Sequence, residues 1–330
     1  MVSRMKWLLA ALCMASTAIA AANLKGEAGL EAGRRAYEAS DYAKAVLALQ
    51  AAAATEPKNG DVQLLLAKSY LELQQHDAAI NSAERAVAID PRNSIYHEWL
   101  GRAYGDKADH AGWFSAISLA KKTRKEFETA VQLDGNNYSA RQALIEFDCS
   151  APGLVGGGEE KALPQIKQLA EMDAAEGHYA AGNCRRQKKD FAVTDEEFGK
   201  ALESHPKSAE LIYDIGDYAV KHSQPERLLA VADAGERVAP GDPRGKFYRG
   251  VALVLKKENP EEAERLLREY AKKAPKRSGY PRAAVAHAWL GRLFEDQNNM
   301  EQAAKEFESA LNLDPKNKMA QDALKRLRKS

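Results

Sequence analysis

The sequence predicts an all-α protein built from about eight helix pairs, because small residues and prolines recur at one fixed interval. A glycine or alanine returns every 34 residues in two blocks, at Gly33, Ala67 and Gly101, then at Gly182, Gly216 and Gly250. Prolines return at the same interval, at Pro57 and Pro91 and again at Pro206 and Pro240. Such a recurrence indicates a solenoid, in which each helix pair buries its apolar face against the next.

The clearest unit runs from Ala284 to Asn317. In it Gly291 allows another helix to approach closely, Phe307 fills the space between the helices, and Pro315 ends the unit because proline cannot continue a helix. The spacing L-G-x-x-F, A-x-x-x-F-x-x-A and D-P resembles the tetratricopeptide repeat. The resemblance implies a right-handed α-solenoid that holds a peptide or partner protein in its concave groove without catalysis.

The repeats predict a single solenoid over residues 23–330. We place the helix pairs near residues 26–59, 60–93, 94–137, 138–174, 175–208, 209–242, 243–277 and 284–317, with a cap over 318–330. The third pair has surplus residues, Gly105–Ser118, which include Trp113 and Phe114. This surplus is either a longer helix pair whose aromatic side chains pack locally or a flap. The basic end, Lys325–Lys329, suits a capping helix or, alternatively, a membrane surface.

Residues 1–22 have the pattern of a secretory signal peptide. A short basic segment with Arg4 and Lys6 precedes the apolar segment Trp7–Ala15, which is too short to span a bilayer. We therefore expect a periplasmic or secreted protein that does not span the membrane.

An A-x-A cleavage site ends at Ala20, and a close alternative ends at Ala22. The predicted mature chain therefore begins at Ala21 or Asn23. A lipoprotein anchored at Cys13 is the alternative, but Leu12 stands where a small residue is expected.

Composition favours neither nucleic-acid binding nor catalysis. The chain has 48 Lys+Arg and 47 Asp+Glu, and the leader carries two of the basic residues, so the mature chain has no basic excess. The seven histidines are scattered singly, and no H-E-x-x-H, C-x-x-C or G-x-S-x-G occurs. We expect a non-enzymatic protein without metal or cofactor, whose partner is a protein or peptide.

The glycine-rich segment Gly153–Gly158 supports an alternative, a small-ligand or nucleotide-handling protein. A glycine run before a helix can hold phosphate with its backbone amides. The segment lacks the G-x-x-x-x-G-K-[ST] spacing, however, and Glu159 and Glu160 would repel phosphate where the next helix begins. We favour an inter-helix loop whose glycines adopt positive φ.

Cys149 and Cys184 are predicted to form a disulfide, since both belong to the mature chain and the expected compartment is oxidising. In the repeat numbering they lie in first helices of consecutive repeats. These helices are expected to run nearly parallel, and the two positions differ by about 3 Å along the helix axis. Two buried thiols are the alternative.

We number each repeat so that its small first-helix residue is position 8. In tetratricopeptide repeats, first-helix positions such as 5, 9, 12 and 13 line the inner face. Position 9 here holds a cation with an acid four residues later, at Arg34, Lys68, Arg102 and Arg292. This is the poorer order of charges for a helix, so helix stability alone is a weak reason for the repetition. These four cations are predicted to line a partner groove, but without the lysine and asparagine pattern of a carboxylate clamp.

Position 5 of repeats five to seven holds an aromatic ladder at 34-residue steps, Tyr179, Tyr213 and Phe247. The ladder either packs between helices or anchors an extended peptide, because aromatic residues are frequent binding hot spots. It is included in the predicted groove.

Overall fold

A computed structural model describes residues 28–327, and this part of the chain forms seventeen α-helices and no β-strand. The helices are α1 28–38, α2 Tyr42–Thr55, α3 Gly60–Glu72, α4 His76–Ile89, α5 Ser94–Asp109, α6 Trp113–Leu133, α7 Tyr138–Ser150, α8 Glu159–Met172, α9 Ala174–Gln187, α10 Phe191–Glu203, α11 Ala209–Lys221, α12 Pro225–Val238, α13 Pro243–Lys256, α14 Pro260–Lys273, α15 Ala283–Asp296, α16 Met300–Leu313 and α17 Lys318–Leu327. A turn of 3₁₀-helix, Gly153–Val155, lies between α7 and α8. The predicted all-α class, with eight helix pairs and a capping helix, is confirmed.

The helices group into two compact units, divided between residues 165 and 166, which we call the N-terminal and C-terminal units. In the N-terminal unit, α1 to α6 form three pairs and α7 follows them. In the C-terminal unit, α9 to α16 form four pairs, and α17 packs on α16. The division falls inside α8. The continuous solenoid over residues 23–330 stays a prediction.

Several repeat prolines stand two residues before an asparagine that caps the next helix. The Asn59 side chain accepts hydrogen bonds from the backbone N–H groups of Asp61 and Val62, at 3.1 and 3.2 Å. Asn93 and Asn317 cap α5 and α17 in the same manner. Each such cap stabilises a helix by about 1 kcal/mol. The P-x-N triplet therefore ends one helix pair and begins the next.

Several of the recurring glycines lie where aromatic rings approach the helix backbone, whereas leucine side chains approach Gly33 and Gly250. A Cβ added to Gly101 would lie 2.7 Å from Phe127 Cδ1, and one added to Gly291 would lie 2.6 Å from Phe307 Cδ1. Both distances are well below the roughly 3.5–4.0 Å of carbon–carbon contact. The predicted close approach at Gly291 is confirmed, and the ring that fills the space is the predicted Phe307.

The surplus residues of the third pair lengthen its two helices, since only residues 110–112 separate α5 from α6. The longer helix pair, rather than a flap, is therefore the alternative that the structure shows. The expected local packing of its aromatic residues is wrong, because the Trp113 and Phe114 side chains are 70% and 87% exposed. Both residues belong to the first turn of α6, which is five residues longer than α5.

The predicted leader, its cleavage sites and Cys13 lie outside the described residues, as does the last part of the basic C-terminal segment. Among residues 28–327, no helix combines the length and the apolar character that crossing a bilayer requires.

Candidate functional site

Three of the predicted groove residues form a row on the first helices of the N-terminal unit. Arg34, Lys68 and Arg102 belong to α1, α3 and α5, one cation to each successive helix pair. They influence one another electrostatically, because Arg34 and Arg102 both act on the ionisation of Lys68. We call these three residues the cationic row.

Trp99 lies beneath two members of the cationic row. The Lys68 ammonium is 4.3 Å from the centroid of the Trp99 ring, and the Arg102 guanidinium carbon is 5.4 Å from it. Cations over an aromatic face at these distances are attracted by the ring quadrupole. Trp99 therefore holds two like charges close together on a partly exposed surface.

Burial lowers the pKa of Lys68 below its ordinary 10.5. The positive charges of Arg102 and Arg34 lower this pKa further, whereas Glu98 and Asp61 raise it without cancelling the shift. The folded protein without a ligand therefore stabilises the ammonium form of Lys68 less than water does. An anion bound beside it would restore the ordinary preference for the ammonium.

Glu98 fixes the position of Arg102. Its buried carboxylate accepts hydrogen bonds from Arg102 Nε at 2.9 Å and from Ser139 Oγ at 2.6 Å, the second across to α7. Asn137 Nδ2 donates to the other carboxylate oxygen at 3.2 Å. Arg102 also donates to Ser139 Oγ from its free end, at 3.0 Å. Such a network holds the guanidinium in one place, which suits recognition of a planar carboxylate.

The cations at position 9 pair with the acid four residues later only in part. Arg292 pairs with Asp296 at 3.2 Å. Arg34 instead pairs with Glu31 at 3.7 Å, and Arg102 pairs with the preceding Glu98. The acids that precede Arg34 and Arg102 give the order of charges that helices favour.

The aromatic ladder of the C-terminal unit packs inside it. Tyr213 and Phe247 are 2% and 1% exposed, and their rings pack against Tyr248 with centroids 5.6 and 5.2 Å apart. Arg244 covers the Tyr213 ring at 4.1 Å. Their assignment to a partner groove is therefore corrected, because neither ring reaches the surface. The alternative of packing between helices is the one that the structure shows.

The remaining predicted groove residues of the C-terminal unit do not form a comparable row. Tyr179 is partly buried, and its hydroxyl donates to Asp214 at 3.0 Å. Arg292 is half exposed and belongs to α15, where its partner Asp296 also contacts Lys257 at 3.7 Å. At the same position of α11 and α13 the chain has Asp217 and Val251, so the run of cations found in the N-terminal unit is absent there.

The glycine segment Gly153–Gly158 is an ordered connection whose amides bond within the chain. The N–H groups of Val155, Gly156 and Gly158 donate to Pro152, Gly153 and Asp148 carbonyls at 2.8–3.1 Å. Gly156 and Gly158 have φ of 97° and 143°, as expected for a glycine loop. A Cβ at Gly158 would lie 2.1 Å from Glu160 Oε1, so a carboxylate already faces the loop. These contacts disfavour the phosphate-binding alternative.

Cys149 lies in α7 of the N-terminal unit, and Cys184 is buried in α9 of the C-terminal unit. Their disulfide stays a prediction. Counting thiols on denatured, unreduced protein tests it, and two reactive thiols for each chain would reject the bridge.

Sequence reasoning missed Trp99 and Glu98 as site residues. The signal was present, because Glu98 precedes Arg102 by one helical turn and Trp99 precedes it by three residues. Both therefore lie on or beside the face that carries Arg102.

Comparison with known proteins gives a family. The tetratricopeptide repeat family matches residues 36–102 with one of its profiles, and residues 213–278 and 253–318 with another. The matched ranges together span about half of the chain and fall in both units. A comparison with curated proteins found no match.

Solved structures are similar in fold at low identity. The MamA protein is 20% identical, with a TM-score of 0.41, over 55% of this chain and 91% of MamA. A tetratricopeptide repeat protein from Parabacteroides merdae is 12% identical, with a TM-score of 0.41, over 92% of this chain and 99% of that one. The APC/C hetero-tetramer Cut9–Hcn1 matches with 15% identity and a TM-score of 0.49, over 88% of this chain and 53% of the other.

The family match agrees with what the structure shows: paired helices throughout and, in several repeats, a glycine facing an aromatic ring and a capped turn between pairs. Repeats of this kind indicate a scaffold for protein–protein interaction. The chain belongs to the tetratricopeptide repeat proteins.

Proposed function

We propose that this protein is a non-enzymatic periplasmic scaffold that holds an acidic segment of a partner protein on the cationic row. The supporting observation is that three successive repeats each place a cation in one interacting row, and that two of these cations lie over the partly exposed ring of Trp99. Envelope assembly, secretion or quality control is the setting that we infer for an exported scaffold of this kind.

An energetic argument supports the cationic row as a binding surface. Burial of the Lys68 ammonium, and to a lesser extent the nearby charges of Arg102 and Arg34, lower the pKa of Lys68, so holding this charge in the row weakens the folded state. A ligand carboxylate would be attracted to these positive charges, so binding would relieve part of the electrostatic destabilisation of the free protein. Arg102 is already fixed by Glu98 and Ser139, which reduces the entropy lost when a ligand binds.

Trp99 adds an anchor for the apolar part of such a segment. Tryptophan and arginine are the residue types most enriched at binding hot spots. An acidic peptide that also carries an aromatic or aliphatic side chain is therefore the partner chemistry that fits this surface.

The test measures binding of three fluorescein-labelled peptides to the mature chain by fluorescence anisotropy. The peptides share one apolar residue and differ in having glutamate, glutamine or lysine at the other positions. We expect the glutamate peptide to bind most tightly and its affinity to fall as salt is added, because exposed charges are screened.

Variants then locate the surface. Lys68→Ala/Arg102→Ala is expected to weaken binding by about tenfold or more, the equivalent of about 1.4 kcal/mol. Lys44→Ala/Lys121→Ala removes two exposed lysines from the second helices α2 and α6, so it makes the same change in net charge and should leave affinity nearly unchanged. Equal binding of the glutamine peptide, or equal losses in both double variants, would contradict the proposal.

Export is tested separately in the native host. N-terminal sequencing of the protein from a periplasmic extract should give Ala21 or Asn23 as the first residue, as the two A-x-A sites predict. Recovery of the protein with intact Met1 from the cytosol would reject export while leaving the binding surface untouched.

A further inference from the structure

Three potential metal ligands meet in the N-terminal unit, where α4 begins and α5 ends. His76 is the first residue of α4, Asp106 lies in the last turn of α5, and His110 is the C-cap of α5. One donor atom from each of the three lies within 4.8 Å of the others. Across residues 28–327, no other group of three or more histidine, cysteine, aspartate or glutamate side chains has this arrangement.

The repeat explains why these residues meet. His76 and His110 are 34 positions apart, which is one repeat period, so they belong to neighbouring helix pairs. Asp106 and His110 are four residues apart and therefore share one face at the end of α5. Treating all seven histidines as scattered singly was wrong for this pair, and their one-period interval was the signal.

The two imidazoles are arranged to offer nitrogen lone pairs. His110 Nδ1 is 2.8 Å from the backbone oxygen of Asp106, so this nitrogen is the donor and Nε2 keeps its lone pair. His76 Nδ1 is 2.5 Å from Asp106 Oδ2, and a proton lies between them. The two rings are stacked, with centroids 4.7 Å apart. A hydrogen bond from the second nitrogen to a carbonyl is the usual support of a metal-bound histidine.

The cluster is accessible and can adjust its side chains. It lies in an open surface pocket whose wall includes His76, His110, Asp77 and Lys107. The Asp77 carboxylate and the Lys107 ammonium pair with each other, so the lysine charge in this pocket is balanced. The side chains of His76 and Asp106 are 21% and 43% exposed, so neither is locked by packing.

We propose that His76, Asp106 and His110 bind a divalent transition metal ion of the zinc class. His76 Nδ1, Asp106 Oδ2 and His110 Nε2 would be the ligands, and the proton shared by His76 and Asp106 would be released to solvent. Zinc bonds of about 2.0–2.1 Å in a tetrahedral site place ligand atoms about 3.3 Å apart, which rotation of these surface side chains can provide. Two imidazoles and a carboxylate suit zinc rather than calcium or magnesium. The bound ion would fasten α4 to α5.

The experiment titrates Zn²⁺ into the chain, prepared without a polyhistidine tag, in an isothermal titration calorimeter. We expect one site for each chain and an increase in melting temperature with Zn²⁺, because the metal binds the folded state. A large excess of Mg²⁺ or Ca²⁺ should not compete. Co²⁺ as a second probe should give the visible absorption bands of a nitrogen-ligated ion.

Matched variants make the assignment specific. His76→Gln and His110→Gln should each weaken Zn²⁺ binding by at least about tenfold, since even removal of an outer partner of a ligand typically costs 10–100-fold. Asp106→Asn should also weaken it. His205→Gln, at an exposed histidine of the C-terminal unit, should change nothing. Circular dichroism without metal confirms that each variant is folded. The absence of Zn²⁺ binding by the unmodified chain, or full binding by a folded His76→Gln/His110→Gln variant, would overturn the proposal.

Discussion

At position 9 of three consecutive first helices, the N-terminal unit has Arg34, Lys68 and Arg102, whereas the C-terminal unit has Asn183, Asp217 and Val251. At position 5 the N-terminal unit has Leu30, Leu64 and Glu98, whereas the C-terminal unit has the ladder Tyr179, Tyr213 and Phe247. The repeat period is the same in both units, so the repeat position alone does not decide whether a side chain packs in the interior or lies on the surface. In the C-terminal unit the rings of Tyr213 and Phe247 are buried, the first stacked on Tyr248 and the second edge-on to it, and Asp217 accepts a hydrogen bond from Tyr248 at 2.7 Å. In the N-terminal unit position 9 carries cations, and two of them, Lys68 and Arg102, lie over the Trp99 ring.

The difference shows how one repeat can supply either stability or a surface. Aromatic residues at position 5 bury large areas between successive helices and leave nothing for a ligand to reach. Charges at position 9, with Glu98 supporting them from position 5, leave a surface of fixed cations. On this account the C-terminal ladder stabilises the protein, and the N-terminal row binds the partner.

The largest expected effect is a loss of stability from Tyr213→Ala. Removing a fully buried aromatic side chain should lower the free energy of unfolding of the C-terminal unit by about 3–5 kcal/mol, through lost burial and a residual cavity. Urea denaturation followed by circular dichroism measures it. The matched control is Tyr213→Phe, because the Tyr213 hydroxyl is buried without a hydrogen-bond partner among the described residues. That change should be close to neutral. An unchanged unfolding midpoint for Tyr213→Ala would contradict the packing role of the ladder.

An intermediate effect is expected where a small residue faces a ring, and here both units should behave alike. Gly101→Ala and Gly216→Ala would place a Cβ 2.7 Å from the Phe127 ring and 2.8 Å from the Tyr248 ring, so each should cost about 1–3 kcal/mol. Gly199→Ala is the control, because no atom lies within 4 Å of its added Cβ. In a helix it should stabilise by about 0.5–1 kcal/mol. Thermal unfolding measures the change in stability of the three variants. A change of the same sign in all three would show that close approach of a ring is not the reason for Gly101 and Gly216.

A small effect is expected when the central charge of the cationic row is removed. Lys68→Met keeps an unbranched side chain against Trp99 and should leave the free energy of unfolding unchanged or raise it by up to about 1 kcal/mol. Because the folded-state pKa of Lys68 is lowered, the unfolded chain binds more protons between that pKa and 10.5. The stability of the unmodified protein should therefore rise with pH in that window, relative to the variant.

Unfolding curves of both proteins at several alkaline pH values measure this difference. A loss of more than about 2 kcal/mol in Lys68→Met would show instead that Lys68 holds the fold together, since most surface substitutions change stability by less.

The repeat period made most of the fold predictable. Three sequence signals each correspond to one local structure: the 34-residue interval, the P-x-N turns and the glycines opposite rings. The burial of Tyr213 was not predictable in the same way, because position 5 faces a ligand or a neighbouring helix depending on how closely that helix packs. The same limit applied to Trp113 and Phe114, whose surroundings depend on where α5 ends.

The site was predictable only as a set of positions. The period identified Arg34, Lys68 and Arg102 as one row, and they do interact. The partners of these cations were not predictable, because Arg102 selects the acid before it rather than the acid after it. That choice depends on Ser139 and Asn137, which α7 supplies from another repeat.

The most direct measurement of the central claim is a zero-length carbodiimide cross-link between the glutamate peptide and the protein. This reagent joins a carboxylate to a lysine amine without a spacer, so it marks the lysine that the bound peptide touches. Mass spectrometry should place the main cross-link at Lys68, and Lys68→Arg should keep the affinity while losing that cross-link. Main cross-links at Lys246 or Lys256 of the C-terminal unit, with Lys68 unmodified, would contradict the assignment of binding to the N-terminal row.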